Sequence, residues 1–162
     1  MASPAQQQQT TTIELQSPIL VIDQDRLFAE TRLGAQAQAD LEARAEDLTN
    51  ENQRIEAELI ARERELTELR PDTPADEFRV LADEFDARVE RIRAEQDEKA
   101  RELNRARDEA RQAFFQNVAG IISEIVREKG AVLVIDRRDV FLSADRIDIT
   151  DEAIVRVNEQ AE

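Results

Sequence analysis

The chain has 162 residues, of which 36% are charged and only 4% aromatic, and its formal net charge is −15. This composition is too polar for one globular core that uses the whole length, and it is typical of long solvated helices joined to a small core. Nucleic-acid binding is disfavoured, because 37 acidic side chains against 22 basic ones repel a phosphate backbone. With no Cys and no His, the chain cannot form disulfides, use thiol catalysis or bind zinc through those ligands.

The chain begins with a polar segment and then a short apolar one. Residues 1–17 include runs of Gln and Thr without apolar periodicity, and we predict a disordered leader there. Pro18 precedes Ile19 to Asp23, a continuous β-branched run that predicts a buried strand. No apolar run approaches the roughly 20 residues that cross a bilayer.

From Asp25 onward the sequence has a helical pattern. Between Leu41 and Leu69, core-type positions recur alternately after four and three residues, with polar residues at Asn52 and Arg62. This is a heptad seam, which is wide enough to bury a stripe against one partner helix but not a full helix face.

The helix is expected to end in a tight turn at residues 70–74. Pro71 lacks a backbone donor, and Pro74 disfavours a helical conformation at the preceding residue. Thr73 is a suitable N-cap for the next helix, and Asp76 stands where a capping-box acid would be. The turn therefore predicts that the chain reverses into an antiparallel helix.

The returning helix is predicted from Pro74 to Lys129 and would extend about 80 Å. Residues 96–113 are nearly bare of large aliphatic side chains, whereas the last four turns or so carry them on several faces, which requires burial by more than one neighbour. This apolar end consists of Phe114, Phe115, Val118, Ile121, Ile122, Ile125 and Val126. Gly130 fits a helix stop.

An apolar phrase is repeated at the two ends of this helical region. Residues 20–28 and 133–141 both read LVID, then three polar residues, an aliphatic residue and Phe. Ala131 to Ile135 predicts a second strand, residues 136–139 a turn, and Val140 to Ser143 a third strand. Distant strands can pair only if the chain between them goes out and returns, so the sequence predicts a compact sheet from which a long helical hairpin projects. A last short helix is expected to begin at Thr150 to Glu152.

Catalysis has little support in the sequence. Asp23 and Asp136 end equivalent strands and could form a metal site or an acid–base pair, but each is better explained by hydrogen bonds to the turn that follows it. The phosphate-binding motifs GxxxxGK[ST] and GxGxxG do not occur. A carboxylate-dependent metal enzyme therefore remains a minor alternative, and we expect no enzymatic activity and no cofactor.

Two surfaces of the hairpin have alternative interpretations. The richest basic stretch, from Lys99 to Arg111, is interrupted by acids and is better read as an ion-paired helix face than as an anion site. Phe78, Leu81, Phe85 and Ile92 exceed what a two-helix contact strictly uses. They either pack across the hairpin on Ile55, Leu59, Leu66 and Leu69 or contact a partner.

The arrangement resembles the Skp/OmpH-like periplasmic chaperones. In that family a short strand and a helix start containing Leu-Phe precede a long coiled hairpin, and a VLVID-like strand and a D-I-T-D ending follow it. The matching segments are Ile19 to Phe28, Gly130 to Asp136, Val140 to Asp145 and Asp148 to Ile154. The resemblance covers nearly all of residues 18–160.

The resemblance implies an α+β, mostly helical fold: a small β body with a long antiparallel helical hairpin, in a jellyfish-like homotrimer. The body would comprise residues 18–35 and 112–162, and the arm residues 36–111 with its tip at 70–74. Body residues expected to build the β-barrel-forming trimerisation region are Leu20, Ile22, Phe28, Phe114, Val118, Ile121, Ile125, Leu133, Ile135 and Phe141.

The implied function is ATP-independent holding of unfolded outer-membrane β-barrel proteins in a cavity between the arms, in the periplasm after removal of a signal peptide. Candidate client contacts are Leu59, Leu66, Leu69, Phe78, Leu81, Phe85 and Ile92. Familiar members are basic, whereas this chain is acidic, so we expect no lipopolysaccharide or anionic-membrane site and client capture that depends more on apolar contact than on charge. A coiled-coil envelope scaffold with one folded partner is the alternative.

Overall fold

The computed structural model of the chain describes residues 18–160, so the predicted leader, residues 1–17, lies outside the described part. It confirms the predicted fold class, a mostly helical α+β chain with a small sheet and a long antiparallel helical hairpin. The elements in chain order are β1 (Ile19–Ile22), α1 (Gln24–Glu30), α2 (Arg32–Leu69), a 3₁₀ turn (Arg70–Asp72), α3 (Ala75–Glu128), β2 (Leu133–Asp136), two further 3₁₀ turns (Arg137–Asp139 and Asp145–Ile147) and α4 (Thr150–Gln160).

The two strands pair in parallel, with Ile19 opposite Leu133 and Ile22 opposite Asp136. The repeated LVID phrases thus meet one residue out of register, because Leu20 lies opposite Val134. Parallel strands need a crossover connection, and here the whole helical hairpin provides it. β1 is also bridged by Asp148 on its other side, so β1 is the central segment and is buried from Leu20 to Ile22.

The predicted third strand at Val140 to Ser143 is wrong for the described chain. The sheet of residues 18–160 has two strands, and residues 140–144 follow a 3₁₀ turn without regular structure. Phe141 and Leu142 are exposed there. A strand is stabilised by the ladder and side-chain pairs it makes with a neighbour, and this segment pairs with no neighbouring strand in the described chain.

The first helical segment is interrupted at Thr31, a break that the sequence pattern did not reveal. Asp23 caps α1 by accepting a hydrogen bond from the Arg26 amide at 2.9 Å. Thr31, whose backbone is extended, ends α1 and begins α2, and its buried hydroxyl accepts from the Gly34 amide at 3.2 Å. The Thr31 side chain therefore provides the acceptor that a backbone carbonyl of the preceding turn would provide in a continuous helix.

The turn at the hairpin tip lies where it was predicted, but its capping differs from the prediction. The N-cap of α3 is Pro74 rather than Thr73, and no side chain within the described chain caps it. The Thr73 hydroxyl instead donates to the Leu69 carbonyl at 2.7 Å, which serves the end of α2. Thr and Ser hydroxyls can bond backward to a carbonyl four residues earlier, and this bond competes with N-capping.

At the other end of α3, Gly130 stops the helix as predicted, with φ 64°. Its amide donates to the Arg127 carbonyl at 3.1 Å, and the Ala131 amide donates to the Val126 carbonyl at 3.0 Å. These two bonds form a Schellman motif, which needs a left-handed residue and so favours glycine. The motif turns the chain directly from α3 toward β2.

One apolar core joins the sheet, α1, the end of α3 and α4. Its buried members come from all of these elements, and Phe28 packs against it with its ring edge-to-face on Phe114 at 5.0 Å. The buried members are Leu20, Ile22, Leu27, Phe114, Val118, Ile121, Ile125, Ile149, Ala153 and Val157. The end of α3 is thus covered by several neighbours, as its apolar faces predicted.

Candidate functional site

The hairpin outside this core has very little buried apolar surface. Between residues 35 and 113, Leu66 is the only apolar side chain that is buried, at 6% exposure. The seam predicted on α2 is half-buried along most of its length, with exceptions at Asn52 and Leu69, which are exposed. Helices held by so thin a stripe leave much of their apolar surface in contact with water.

The seven predicted client contacts all lie on the facing sides or the tip of this hairpin. Leu66 is buried, Leu69 is 44% exposed, and the other five are half-buried. These five are Leu59, Phe78, Leu81, Phe85 and Ile92. The structure therefore shows that most of them contribute to helix packing and still retain accessible surface, and their contact with clients stays a prediction.

A groove of about 730 Å³ runs between α2 and α3. Three predicted client contacts, Leu59, Phe85 and Ile92, line it. Three more residues complete the apolar part of its lining, namely Ile55, Ile60 and Val89. Ile60 is 52% exposed. Ile60 lies outside the heptad seam, so the periodicity that located Leu59 did not reveal it.

Ion pairs occupy the stretch of α3 that carries the densest basic charge. Lys99 bonds Glu51 of α2 at 2.7 Å, and Arg101 and Arg105 both bond Glu98, at 2.9 and 2.7 Å. Hydrogen bonds from Arg105 and then Arg101 hold the pKa of Glu98 below its ordinary range. The interpretation as an ion-paired helix face is confirmed for these residues.

Arg111 joins the hairpin to the core. Its guanidinium lies 5.8 Å from the ring centre of Phe28 and 5.2 Å from that of Phe115, and it donates to Asp25 at 2.7 Å. Arginine over aromatic faces gains a cation–π attraction in addition to its ion pair. Arg111 therefore fixes the base of α3 against α1, a role that its position in a charged stretch did not indicate.

The ten predicted body residues fall into three groups by burial. Six are buried in the core: Leu20, Ile22, Phe114, Val118, Ile121 and Ile125. Phe28 and Ile135 are half-buried, Leu133 is 49% exposed and Phe141 is fully exposed. The structure thus brings six of them together within one chain, leaves Leu133 about half exposed and leaves Phe141 fully in solvent.

The exposed members belong to a group of four exposed apolar side chains, which lie on β2 and on the segments just before and after it and are called the apolar patch below. Val132 and Leu142 are also largely exposed, and sequence reasoning did not single them out. The outer edge of β2 has no paired strand within residues 18–160. An unpaired strand edge beside exposed apolar side chains is a surface suited to association with another chain.

The carboxylates at the strand ends serve the backbone. Asp136 accepts from the Arg138 amide at 2.9 Å, and its pKa is held below the ordinary range chiefly by the hydrogen bond from the Arg138 side chain. Asp23 caps α1. Their interpretation as turn ligands is confirmed, and among the described residues no cluster of three or more His, Cys, Asp or Glu side chains is arranged to hold a metal ion.

A further carboxylate network connects β1 to α4. The buried Thr150 hydroxyl donates to Asp148 at 2.5 Å and accepts from the Asp23 amide at 2.8 Å. Burial of Asp148 disfavours its charged form, but bonds from the Thr150 hydroxyl and amide and from Arg137 hold its pKa below the ordinary range. This network anchors the D-I-T-D segment to the central strand.

The chain is thus a protein with a small parallel sheet and a long helical hairpin inserted between the two strands. The sequence model of the family "Outer membrane protein (OmpH-like)" matches residues 18–157, and the chain belongs to this family. The fold is similar to the crystal structure of a candidate outer membrane chaperone (OmpH-like) from Caulobacter crescentus CB15. That similarity has a TM-score of 0.81 at 15% identity and covers 88% of this chain and 85% of the other.

No curated protein matches the sequence. Within residues 18–160, the helices lack the combination of length and apolar character that crossing a bilayer requires.

Proposed function

We propose that the protein is an ATP-independent holdase chaperone that binds unfolded outer-membrane β-barrel proteins and prevents their aggregation. Membership of the OmpH-like family supports a chaperone role. The observation that carries the proposal is the hairpin, in which α3 extends about 80 Å while residues 35–113 bury a single apolar side chain, Leu66. Such an arm offers many weak apolar contacts, which suits capture and release of unfolded chains.

The binding unit would be a homotrimer whose three arms enclose a cavity. Support comes from the exposed apolar patch of Val132, Leu133, Phe141 and Leu142 and from the open edge of β2. Pairing between the β2 edges of neighbouring chains would bury the patch. Residues 18–35 and 112–162 would then form the body, and residues 36–111 the arm. Seven candidate client contacts, from Leu59 on α2 to Ile92 on α3, would then face the cavity or its entrance.

The proposed location is the periplasm, after removal of a signal peptide. The net charge of −15 disfavours lipopolysaccharide and anionic membranes as ligands. The mechanism uses no nucleotide and no cofactor. It is binding alone, in which apolar side chains of an unfolded client are shielded from water and from other clients.

Dilution of a denaturant-unfolded porin into buffer tests the proposal by light scattering. A near-stoichiometric amount of trimer should suppress the scattering without nucleotide, and scattering that rises as fast as in buffer alone would contradict the function.

Affinity capture under native conditions distinguishes the holdase from the alternative, a structural scaffold. A spread of unfolded outer-membrane proteins is expected, whereas one folded partner at fixed stoichiometry would indicate a scaffold.

A further inference from the structure

The groove between α2 and α3 combines an apolar floor with an acidic rim. The apolar side chains are mostly half-buried, whereas the charged ones are exposed and so lie nearer the solvent. Five carboxylates against one guanidinium, that of Arg93, give the lining a net charge of −4. The carboxylates belong to Glu56, Glu63, Asp86, Glu90 and Asp97.

None of these five carboxylates forms an ion pair within residues 18–160. Other acids of the hairpin do, since Glu51 bonds Lys99 and Glu58 bonds Arg88. The rim carboxylates therefore have no salt-bridge partner there. Asp86 and Glu90 lie about one helical turn, or roughly 5.4 Å, apart along α3, which is within the screening length of about 8 Å at physiological salt.

The groove wall also contains a hydrogen-bond acceptor without a donor. The side-chain oxygen of Gln96 is buried and has no hydrogen-bond partner in the described chain. Buried polar atoms are nearly always paired in folded proteins. This oxygen has no accessible surface, so a donor bound in the groove would reach it only after the Gln96 side chain turns toward the groove.

We propose that this groove selects apolar client segments that carry Lys or Arg beside aliphatic or aromatic residues. The floor attracts the apolar side chains, and basic side chains can lay their aliphatic stems on it while their charged ends reach the rim. An acidic segment of equal hydropathy is repelled by the same rim. Apolar contact still drives capture, and charge decides which segments are preferred. The proposal rests on the holdase function and specifies its clients.

The direct test measures the binding of three labelled peptides to the full-length protein by fluorescence anisotropy. The peptides have equal length and alternate Leu with Lys, Glu or Gln. At about 0.15 M salt, the Lys peptide should bind roughly tenfold or more tightly than the Glu peptide, with the Gln peptide between them. Added salt should narrow this ratio. Equal affinities for the Lys and Glu peptides, or tighter binding of the Glu peptide, would overturn the proposal.

A matched pair of variants separates the groove from the overall negative charge. The rim variant carries Glu56→Gln, Glu63→Gln, Asp86→Asn, Glu90→Gln and Asp97→Asn. The control removes the same charge from exposed acids outside the groove, by Glu46→Gln, Glu68→Gln, Asp83→Asn, Asp108→Asn and Glu109→Gln. The rim variant should lose most of the preference for Lys and the control should keep it. Equal losses in both variants would show that the net charge, not the groove, selects the peptide.

A second pair tests the apolar floor. Ile60→Ser should weaken binding of the Lys and Gln peptides severalfold, whereas Val80→Ser, which is similarly exposed at 56% against 52% but lies outside the groove, should not. Equal effects of the two substitutions would overturn the groove assignment.

The porin aggregation assay distinguishes failure of the groove proposal from failure of the holdase proposal. Suppression of aggregation without peptide selectivity refutes only the groove, and failure to suppress refutes the holdase function.

Discussion

At the scale of single residues, two glycines in helices have opposite surroundings and predict opposite effects. A Cβ added at Gly34 would lie 1.8 Å from the carbonyl oxygen of Phe28, because the break at Thr31 brings α1 against the first turn of α2. Nothing lies within 4 Å of a Cβ at Gly120.

Gly34→Ala should therefore lower the free energy of unfolding by about 1–3 kcal/mol, since the two helix ends must move apart. Gly120→Ala should raise it by about 0.5–1 kcal/mol through lower backbone entropy of the unfolded chain. Urea unfolding at matched protein concentration measures both. A Gly34→Ala variant as stable as Gly120→Ala would refute the close contact.

The buried hydroxyl of Thr150 holds two segments together, and its removal should be costly. In Thr150→Val the Asp23 amide loses its acceptor and Asp148 loses a donor, so we expect a loss of about 1–3 kcal/mol. Thr150→Ser keeps the hydroxyl and should lose clearly less. Equal stability of the Val and Ser variants by urea unfolding would show that the hydroxyl bonds contribute nothing.

The lowered pKa values of Asp136 and Asp148 give stability a pH dependence of known sign. A carboxyl whose pKa is lower in the folded state stabilises the fold above its unfolded pKa, about 3.9. This contribution is lost as the pH falls through the lower folded values. The urea midpoint should therefore fall between about pH 5 and pH 2, and less steeply in Asp148→Asn than in the wild type. Identical pH profiles would contradict this role for Asp148.

At the scale of elements, the sequence predicted what periodic apolar spacing and backbone chemistry determine. The heptad seam located the hairpin, the two prolines its turn, and Gly130 its stop, because each is a local property of the chain. The break at Thr31 places the backbone of Phe28 against Gly34. The Thr73 hydroxyl can either donate to the Leu69 carbonyl or accept from an amide of α3, and the structure shows the first of these bonds. Such outcomes are decided by three-dimensional packing and are not visible in residue spacing.

The candidate site was predictable to the same degree. Heptad spacing identified Leu59, and the aromatic and aliphatic excess on α3 identified Phe85 and Ile92, all of which line the groove. Ile60 and the acidic rim have no periodic signal, because they lie beside the seam rather than on it. The prediction of a third strand was wrong because the residue types in a segment do not show whether a neighbouring strand within the same chain is free to pair with it.

The uneven burial along α3 predicts uneven local stability. Residues 114–125 contain the four buried side chains of this helix, whereas residues 76–110 contain none. Amides at 114–125 should therefore exchange with solvent deuterium much more slowly than those at 76–110 in native-state hydrogen exchange. Protection of similar magnitude along the whole helix would show that the arm is stabilised by contacts absent from a single chain.

At the scale of the whole molecule, the exposed patch beside β2 is the structural basis for the proposed trimer. Phe141→Ser removes the largest exposed side chain of the patch and should lower the sedimenting mass at a given concentration. Val155→Ser is the control, since Val155 is 55% exposed but belongs to α4 and not to the segment 132–142. Helix content should be unchanged in both. Equal masses for the two variants and the wild type would place the interface elsewhere.

The central claim is that an oligomer of this chain holds an unfolded client within its arms. Native mass spectrometry of the full-length protein, mixed with a porin diluted from denaturant, measures oligomer and client binding in one experiment. The expected species is a complex of three chains with one client, formed without nucleotide. A single chain free of client, or an oligomer that leaves the client unbound, would contradict it.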